Sequence, residues 1–201
     1  MKKINAIAAF DFDGTIIRGD SFISFSRYVF GDISLAIATI KNLPYIIGYK
    51  LGLYPNWKAK EKLFSCLFKE TPIDKFNNLC MDFFNNKGSK LVKKEALECI
   101  QAHKRLGHKI LIISASPENW VMPFAIACDV DTVIATKINT EDNKVTGVFK
   151  SKNCYGIEKV NRLLELFPKR SDYYLYAYGD SRGDKELLSF ADKGYYKEFG
   201  I

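Results

Sequence analysis

The sequence has few of the residues that build disulfide-bonded scaffolds or zinc-binding modules. Only two of its 201 residues are histidine, and its five cysteines are odd in number, scattered and never arranged as a C-x-x-C pair. This usage excludes a small disulfide scaffold and argues against a zinc site. It is typical of a reduced, intracellular protein whose thiols are buried. The chain also has no internal repeat and no low-complexity stretch.

Long uninterrupted apolar runs are absent as well. The N-terminal apolar run is too short for a signal peptide and continues into Asp11 and Asp13, so we predict a buried first strand there. The most apolar later segment, residues 33–53, contains Lys41 and Lys50, and each charge at the centre of a bilayer costs roughly 3 kcal/mol. Its helical stripe of apolar residues predicts core packing, with docking on a lipid surface as the alternative.

Charge and composition narrow the class of protein. The 30 Lys and Arg residues exceed the 23 Asp and Glu residues, and the resulting net charge of +7 favours anionic partners such as phosphate esters. The basic residues are spread along the chain, without an Arg/Lys-rich arm, so we predict no nucleic-acid partner. With 47% hydrophobic and 26% charged residues, the chain is globular and large enough for one core with a modest insertion.

The periodicity of the apolar residues divides the chain into two parts. Ile4–Phe10 is an apolar run interrupted only by Asn5, as in a central parallel strand, whereas the pattern from Ser21 to about Lys87 is helical with no strand signal. Beyond that, strands alternate with helices, which predicts a Rossmann-like α/β fold whose parallel sheet has helices on both faces. We therefore expect an α/β core domain of residues 1–17 and 88–201 and a small all-helical cap domain of residues 18–87.

The individual elements follow from the same patterns. Strands are predicted at Lys109–Ile113, Asp131–Ala135 and Tyr173–Tyr178, with a hairpin around Val145–Phe149. The first predicted helix is Phe22–Phe30, which ends near Gly31, and it is followed by a helical apolar stripe that is broken at Pro44. Further helices are predicted at Asn56–Phe68, Thr71–Phe84, Ser89–Leu106, Pro117–Cys128, Tyr155–Phe167 and Lys185–Phe190. His103 and His108 lie near a helix end, and we interpret both as surface residues.

Polar residues follow three of the predicted strands, where open α/β sheets bind ligands. These segments are Asp11–Thr15, Ser114–Ser116 and Gly179–Asp184. Four carboxylates would converge on one edge of the sheet, and because they repel one another a divalent cation is their natural counter-charge. All-oxygen ligands suit Mg²⁺. Backbone N–H groups, hydroxyls and one lysine are available to bind a phosphoryl group.

These segments resemble the motifs of the haloacid dehalogenase superfamily of aspartyl-phosphate hydrolases. Asp11–Thr15 resembles the opening motif, Ile112–Ser114 the second, Cys154–Lys159 the lysine-bearing third and Gly179–Asp184 the acidic fourth. Their order and spacing fit over nearly the whole chain. The helical insertion between the first and second motifs is similar to the cap of the phosphoserine-phosphatase-like branch, subfamily IB.

The resemblance implies a role for each catalytic candidate. Asp11 would attack phosphorus, and Asp13 would protonate the leaving alcohol and then deprotonate the hydrolytic water. Ser114 would hydrogen-bond a phosphoryl oxygen, and Lys159 would offset the charge of the phosphate and of Asp11. The alternatives are that the two aspartates cap a helix, and that Lys159 is solvated while Lys152 takes its place.

The metal and substrate residues are also implied by the resemblance. Mg²⁺ would be held by Asp11, by the backbone carbonyl of Asp13, by Asp180 and, through metal-bound water, by Asp184. Asp184 would otherwise cap the last helix. Thr15, Ala115 and Ser116 complete the expected substrate contacts around the phosphoryl group.

The cap is expected to select the substrate. In a phosphoserine-phosphatase-like site, Asp20 would face an ammonium group and Arg27 a carboxylate. The cap is unusually apolar and aromatic, however, which suits a greasier leaving group, and the Asp20–Tyr28 segment is similar to phosphatidylglycerophosphatase C-type proteins. We predict a Mg²⁺-dependent phosphoric monoester hydrolase acting on a small phosphorylated metabolite, with a peripheral-membrane lipid-phosphate phosphatase as the alternative.

Two other classes of function are kept open at this point. A response-regulator receiver also combines an aspartate, Mg²⁺, a hydroxyl and a lysine, but as a phosphorylation switch in a shorter chain whose aspartate follows a middle strand. A binding module on a degenerate scaffold would lack some of the acids. The predicted location is the cytoplasm, or the periphery of the inner face of the membrane, with only weak contact through the cap.

Overall fold

A computed structural model describes residues 6–201 of the chain. Five of the strands form one sheet in the order β3-β2-β1-β6-β7, and each neighbouring pair is parallel. The remaining two, β4 and β5, form an antiparallel hairpin. In chain order the strands are β1 (Ala6–Phe10), β2 (Lys109–Pro117), β3 (Thr132–Thr136), β4 (Ile138–Glu141), β5 (Lys144–Phe149), β6 (Tyr174–Gly179) and β7 (Lys193–Tyr196).

Beyond residue 93, the helices alternate with the strands of the five-stranded sheet. In chain order they are α1 (Ser21–Lys41), α2 (Leu43–Lys50), α3 (Asn56–Phe68), α4 (Ile73–Asn86), α5 (Lys94–Arg105), α6 (Glu118–Ala127), α7 (Ile157–Leu166) and α8 (Lys185–Phe190). Helices α1 to α4 all lie between β1 and β2. The predicted α/β class, with a helical cap inserted after the first strand, is confirmed. The domain boundaries at residues 17 and 87 stay a prediction.

The central strand β1 is buried on both faces, which explains its continuously apolar sequence. Ala8 and Phe10 belong to a core cluster that includes side chains of α5 and α6. Ile7 and Ala9 belong to a second cluster that includes side chains of α7 and α8. Because successive side chains of a strand point to opposite faces, one short segment packs on both helical layers. Residues 4 and 5 of the predicted strand lie outside the described residues.

The cap is joined to the core through aromatic side chains. The ring of Phe25 on α1 lies 5.4 Å from that of Phe68 on α3 and 5.5 Å from that of Phe83 on α4. The same ring lies 5.1 Å from Trp120 on α6, a helix of the α/β core. All four side chains are fully buried. The cap is therefore held against α6 by continuous apolar packing.

Helix α1 changes direction at Gly31. This residue has φ 76° and ψ 171°, a conformation that glycine adopts without the steric cost of a Cβ atom. Before the kink, Phe22 and Phe25 are buried in the core, whereas most side chains after it are exposed. By length and composition α1 is apolar enough to cross a membrane, and 22% of its apolar window is buried in the fold.

The structure differs from the prediction in one predicted helix and in one strand that was not predicted. The helix expected over Ser89–Leu106 is a 3-10 turn followed by α5, because the chain between them pairs with the loop after β1. In this pairing the N–H of Arg18 donates to the carbonyl of Leu91, and the N–H of Lys93 donates to the carbonyl of Ile16, both at 2.8 Å. Strand β7 was not predicted, since its Lys-Gly-Tyr-Tyr sequence has no apolar run.

The interpretation of His103 as a surface residue is wrong. Its ring is fully buried, with Nε2 2.6 Å from Oη of Tyr178 and Nδ1 2.7 Å from Nδ1 of His108. His108 is half-buried beside it. Burial, together with the neighbouring His108, lowers the pKa of His103 from 6.5 to about 4. The fold therefore favours the neutral ring.

This burial predicts a pH-dependent loss of stability. The unfolded chain takes up a proton at His103 near pH 6.5, whereas the folded chain resists it until about pH 4. The stabilisation is therefore fully present above pH 6.5 and is lost as the pH falls towards 4. In His103→Gln, urea unfolding should show a shallower decline of the unfolding free energy across this interval. Parallel declines in the two proteins would contradict this account.

Candidate active site

The three polar segments meet at one edge of the sheet. Asp11 follows β1, Ser114 lies near the end of β2, and Asp180 follows β6. Because β2, β1 and β6 are adjacent and parallel, their carboxyl ends lie side by side. A cavity of about 430 Å³ opens at this edge. It is lined by Asp11, Asp13, Gly14, Gly19, Asp20, Asn56, Ala115, Tyr155, Lys159, Asp180, Ser181 and Gly183.

Asp11 is a buried carboxylate with a fixed orientation. Its Oδ1 accepts a hydrogen bond from Nζ of Lys159 at 2.5 Å, and its Oδ2 accepts one from the hydroxyl of Thr15 at 3.3 Å. Burial raises the pKa of Asp11 to about 7, against the opposing effect of the Lys159 charge. A further positive charge would therefore be needed to keep this carboxylate fully ionised at neutral pH.

Lys159 uses all three of its ammonium protons inside the fold. Nζ donates to Asp11 at 2.5 Å, to Oδ1 of Asp184 at 2.5 Å and to the carbonyl of Ile113 at 2.9 Å. Burial alone would lower the pKa of Lys159, but the two carboxylates outweigh it and raise the pKa above its ordinary value. The structure thus places Lys159 in the site, whereas its sequence rival Lys152 is exposed.

Asp184 holds the acidic loop together. Its Oδ1 accepts a hydrogen bond from Nζ of Lys159. Its Oδ2 accepts hydrogen bonds from the backbone N–H of Asp180 and from both the N–H and the hydroxyl of Ser181, at 2.8 to 3.2 Å. It gives no side-chain cap to α8, so the simple helix-capping alternative is not what the structure shows. Its contacts instead fix the loop that carries Asp180.

Asp180 approaches the loop after β1 very closely. At Gly14, where φ is 76°, a Cβ atom would lie only 2.2 Å from Oδ2 of Asp180. Glycine is therefore required at this position for both the backbone conformation and the contact. Oδ1 of Asp180 is buried, and among the described residues it has no hydrogen-bond partner. Burial and the charge of Asp184 raise the pKa of Asp180.

Three of the carboxylates are placed as a metal site requires. Asp11, Asp180 and Asp184 each offer an oxygen, and these atoms lie within 4.8 Å of one another. The unpartnered Oδ1 of Asp180 and the raised pKa of Asp11 both indicate a missing positive charge. An all-carboxylate donor set fits a hard cation such as Mg²⁺. The side chain of Asp13 is not part of this group, and its role as a ligand through its carbonyl stays a prediction.

Asp13 is oriented by two donors on other elements. Its Oδ1 accepts from the backbone N–H of Ser21 at 2.6 Å, and its Oδ2 accepts from the hydroxyl of Ser116 at 2.5 Å. Burial raises the pKa of Asp13, while the charge of Lys60 opposes this shift. A raised pKa favours the protonated form that a general acid needs. The two hydrogen bonds orient the carboxyl group and partly oppose this shift, and the raised pKa suits a group that moves a proton.

The last residues of β2 contribute both hydroxyl and backbone groups to the site. The register of the pairing with β3 shifts between Ser114 and Pro117, and Ala115 in this interval lines the cavity. The buried hydroxyl of Ser114 accepts from the N–H of Ser116 at 3.0 Å. The carbonyl of Ala115 accepts from the hydroxyl of Thr136 at 3.0 Å. All three residues predicted in this segment lie at or beside the site.

The two predicted cap contacts have different outcomes. Asp20 lines the cavity and also caps α1, where its side chain accepts from the N–H of Ile23 at 3.0 Å. Arg27 is not brought into the cavity. Its guanidinium pairs with Asp32 at 2.5 Å, and the side chains are 48% and 78% exposed. The expectation that Arg27 holds a substrate carboxylate has no geometric support in this structure.

The sequence did not indicate that Lys60 on α3 lies at the site. Its Nζ lies 3.4 Å from the carbonyl of Ala115 and 3.5 Å from the hydroxyl of Ser116, so a cap lysine reaches the catalytic edge. No sequence signal distinguishes this lysine, because its position depends on how α3 packs over the edge of the sheet. Ser21, whose N–H holds Asp13, carries no recognisable sequence signal.

Comparison with known proteins agrees with this geometry. The family model described as haloacid dehalogenase-like hydrolase matches residues 8–189. Protein CicA of Caulobacter vibrioides is 31% identical over 195 residues, which is 96% of this chain and 86% of the relative. "Probable phosphatase Rv3661" of Mycobacterium tuberculosis is 27% identical over 212 residues, 99% of this chain and 74% of the relative.

The fold is also similar to that of a solved phosphoserine phosphatase. The structure of its phospho-aspartyl intermediate analogue superimposes with a TM-score of 0.63 at 19% identity, covering 94% of this chain and 84% of the other. The predicted phosphoserine-phosphatase-like fold is therefore confirmed, as is the predicted enzyme class of hydrolase. The matched family model covers all four sequence motifs. The chain belongs to the haloacid dehalogenase-like hydrolase family.

Proposed function

We propose that the protein is a Mg²⁺-dependent phosphatase that hydrolyses a phosphate monoester through an aspartyl-phosphate on Asp11. The observation that carries this proposal is the buried Lys159 ammonium, held 2.5 Å from both Asp11 and Asp184 at the carboxyl edge of the sheet. Burying an ion pair costs desolvation energy, so a fully buried ion pair contributes little net stability to a fold. Their position in a cavity beside an acidic cluster supports a catalytic use.

In the first step, a carboxylate oxygen of Asp11 attacks phosphorus and the bond from phosphorus to the leaving oxygen breaks. Lys159 and Thr15 orient the carboxylate, so little motion is needed before attack. Asp13, in its protonated form, gives its proton to the leaving alcohol oxygen. Ser21 and Ser116 hold that carboxyl group in place through the step.

In the second step, water attacks phosphorus of the aspartyl-phosphate and inorganic phosphate leaves. Asp13, now ionised, takes the proton of the attacking water and returns to its starting state. Asp11 is released as a carboxylate. The atoms and charges balance, because the alcohol gains the proton that the water loses. One acid therefore serves both half-reactions.

The negative charge of the phosphoryl group must be offset throughout. Lys159 supplies one positive charge, and the Ser114 hydroxyl and the backbone after it supply hydrogen-bond donors. Asp11, Asp180 and Asp184 would hold Mg²⁺, which would supply the remaining positive charge that the phosphate oxygens and the clustered carboxylates require. The crowding of the three carboxylates supports this assignment.

The walls of the cavity support a small phosphorylated metabolite as substrate. The cap side presents Asp20 and Asn56, and Lys60 lies close by. A volume of about 430 Å³ accommodates a phosphate and a compact leaving group. A relative carries the name "Probable phosphatase", and a phosphoserine phosphatase shares the fold, which is consistent with this class.

Asp11→Asn tests the nucleophile. With p-nitrophenyl phosphate and Mg²⁺, we expect turnover to fall roughly 10³-fold or more, because an amide cannot form the acyl-phosphate. Circular dichroism checks that the variant is folded. Retained turnover would contradict the proposal. In the unsubstituted protein, a stable phosphoprotein without turnover would indicate a phosphorylation switch, and no Mg²⁺-dependent turnover of any phosphoester would indicate a binding module.

Lys159→Met tests the buried ammonium, with Lys152→Met as the exposed control. Removing the charge leaves Asp11 and Asp184 buried without their counter-charge, so we expect a loss of about 3–5 kcal/mol in unfolding free energy without metal. Turnover should be abolished. The double variant Lys159→Met/Asp184→Asn should recover part of the stability but none of the activity. Equal behaviour of the variants at positions 152 and 159 would overturn the assignment.

Asp180→Asn tests the cation site without relying on turnover. Since a ligand that binds only the folded state stabilises it, added Mg²⁺ should raise the Tm of the unsubstituted protein. In Asp180→Asn, the half-saturating Mg²⁺ concentration of this shift should increase roughly tenfold or more. Asp172→Asn, which removes an exposed carboxylate, is the charge-matched control. A Tm that does not respond to Mg²⁺ would argue against the site.

A further inference from the structure

The cap carries an exposed apolar surface that we name the cap tip, formed by the exposed apolar side chains of residues 33–57. Ten of the twenty-one exposed large hydrophobic side chains among the described residues fall in this segment. After the kink at Gly31, Ile33, Ile37 and Ile40 recur at helical spacing with exposures of 78%, 50% and 67%. They form a continuous apolar stripe facing solvent.

Helix α2 extends this surface instead of burying it. None of its eight residues is buried, although most are apolar. Leu43 and Ile47 lie one turn apart on one face, and Leu51 and Leu53 just beyond the helix are 68% and 80% exposed. An isolated helix of this length is marginal in water, and such a helix normally buries an apolar face. The cap tip therefore has the composition of a contact surface.

The charges around the cap tip indicate what it contacts. The cap tip contains two lysines, at positions 41 and 50, and no aspartate or glutamate, and Lys58 follows it directly. Tyr45, Tyr49 and Trp57 are exposed among the aliphatic side chains. Aliphatic side chains mixed with tyrosine, tryptophan and lysine are typical of segments that lie at the interface of a lipid bilayer. The excess of lysine favours anionic lipids.

Two other ways of covering the cap tip fit the structure less well. In a symmetric dimer through this face, lysines would meet lysines with no acidic residue in the segment to pair with them. A transmembrane span would need about 20 apolar residues. The first half of α1 is not available for one, because Phe22 and Phe25 are buried in the core, and the helix bends at Gly31.

We propose that the cap tip docks on the surface of an anionic lipid bilayer, with its aliphatic side chains in the headgroup region and its lysines beside the lipid phosphates. Asn56 lines the catalytic cavity, and Trp57, the next residue, belongs to the cap tip. Docking would therefore hold the mouth of the cavity near the lipid headgroups. The proposal stands independently of the reaction catalysed.

Sedimentation with vesicles tests this directly. At low salt, the protein should co-sediment with vesicles of phosphatidylcholine and phosphatidylglycerol but much less with phosphatidylcholine alone, and added salt should release it. Lys41→Gln/Lys50→Gln should weaken binding about fivefold for each lysine removed. Ile33→Gln/Leu53→Gln should weaken it about tenfold or more. All variants should keep their turnover of p-nitrophenyl phosphate in solution.

Matched controls separate the cap tip from the general surface. Lys75→Gln/Lys169→Gln removes the same charge elsewhere, and Leu106→Gln/Ile126→Gln removes exposed apolar side chains elsewhere, so both should bind as the unsubstituted protein does. Equal loss in the control and cap-tip variants would overturn the proposal. So would the absence of binding to anionic vesicles, or a self-association in analytical ultracentrifugation that the cap-tip variants abolish while vesicle binding is unaffected.

Discussion

The buried ammonium of Lys159, held between Asp11 and Asp184, is the contact on which the rest of the site depends. It joins the loop after β1, helix α7 and the loop after β6, which are far apart in the sequence. Because each partner would be a costly buried charge alone, the three groups enforce one relative position of these elements. The same contact leaves one oxygen of Asp11 close to the hydroxyl of Thr15 at the cavity.

Only one ammonium group, that of Lys159, directly contacts the three clustered carboxylates, while Lys93 and Lys197 act on Asp180 from farther away. Asp11, Asp180 and Asp184 lie within a few ångströms of one another, and Lys159 compensates only part of their charge. The pKa of Asp11 and that of Asp180 are both raised, mainly by burial. The repulsion between these carboxylates destabilises the site when no cation is bound, and a divalent cation that binds together with a phosphate would relieve it. It links the fold directly to phosphoryl transfer.

The residues at the carboxyl edge of the sheet could be predicted mainly from the local sequence. A parallel strand that is buried on both faces is continuously apolar, so the end of β1 and the carboxylates after it are visible in the sequence. The close packing of Gly14 against Asp180 explains why a glycine follows the two acids. The confirmed topology brings the predicted segments together, because adjacent parallel strands end at the same edge.

Side chains whose position depends on packing between distant segments were not predictable in this way. His103 is buried by packing against Phe10 and Tyr176, and its Nε2 lies beside the hydroxyl of Tyr178, 75 positions later in the sequence. Arg27 pairs with Asp32 instead of facing the cavity, and Lys60 reaches Ala115 only because α3 packs over that edge. Each of these outcomes depends on how the cap packs or on a long-range hydrogen bond.

The most direct test of the account is a crystal structure with magnesium and beryllofluoride, which mimics a phosphoryl group on a carboxylate. We expect the beryllium to be bonded to a carboxylate oxygen of Asp11, with Mg²⁺ held between Asp11 and Asp180. A structure in which Asp11 is unmodified, or in which the cation binds away from Asp180, would contradict the central claim.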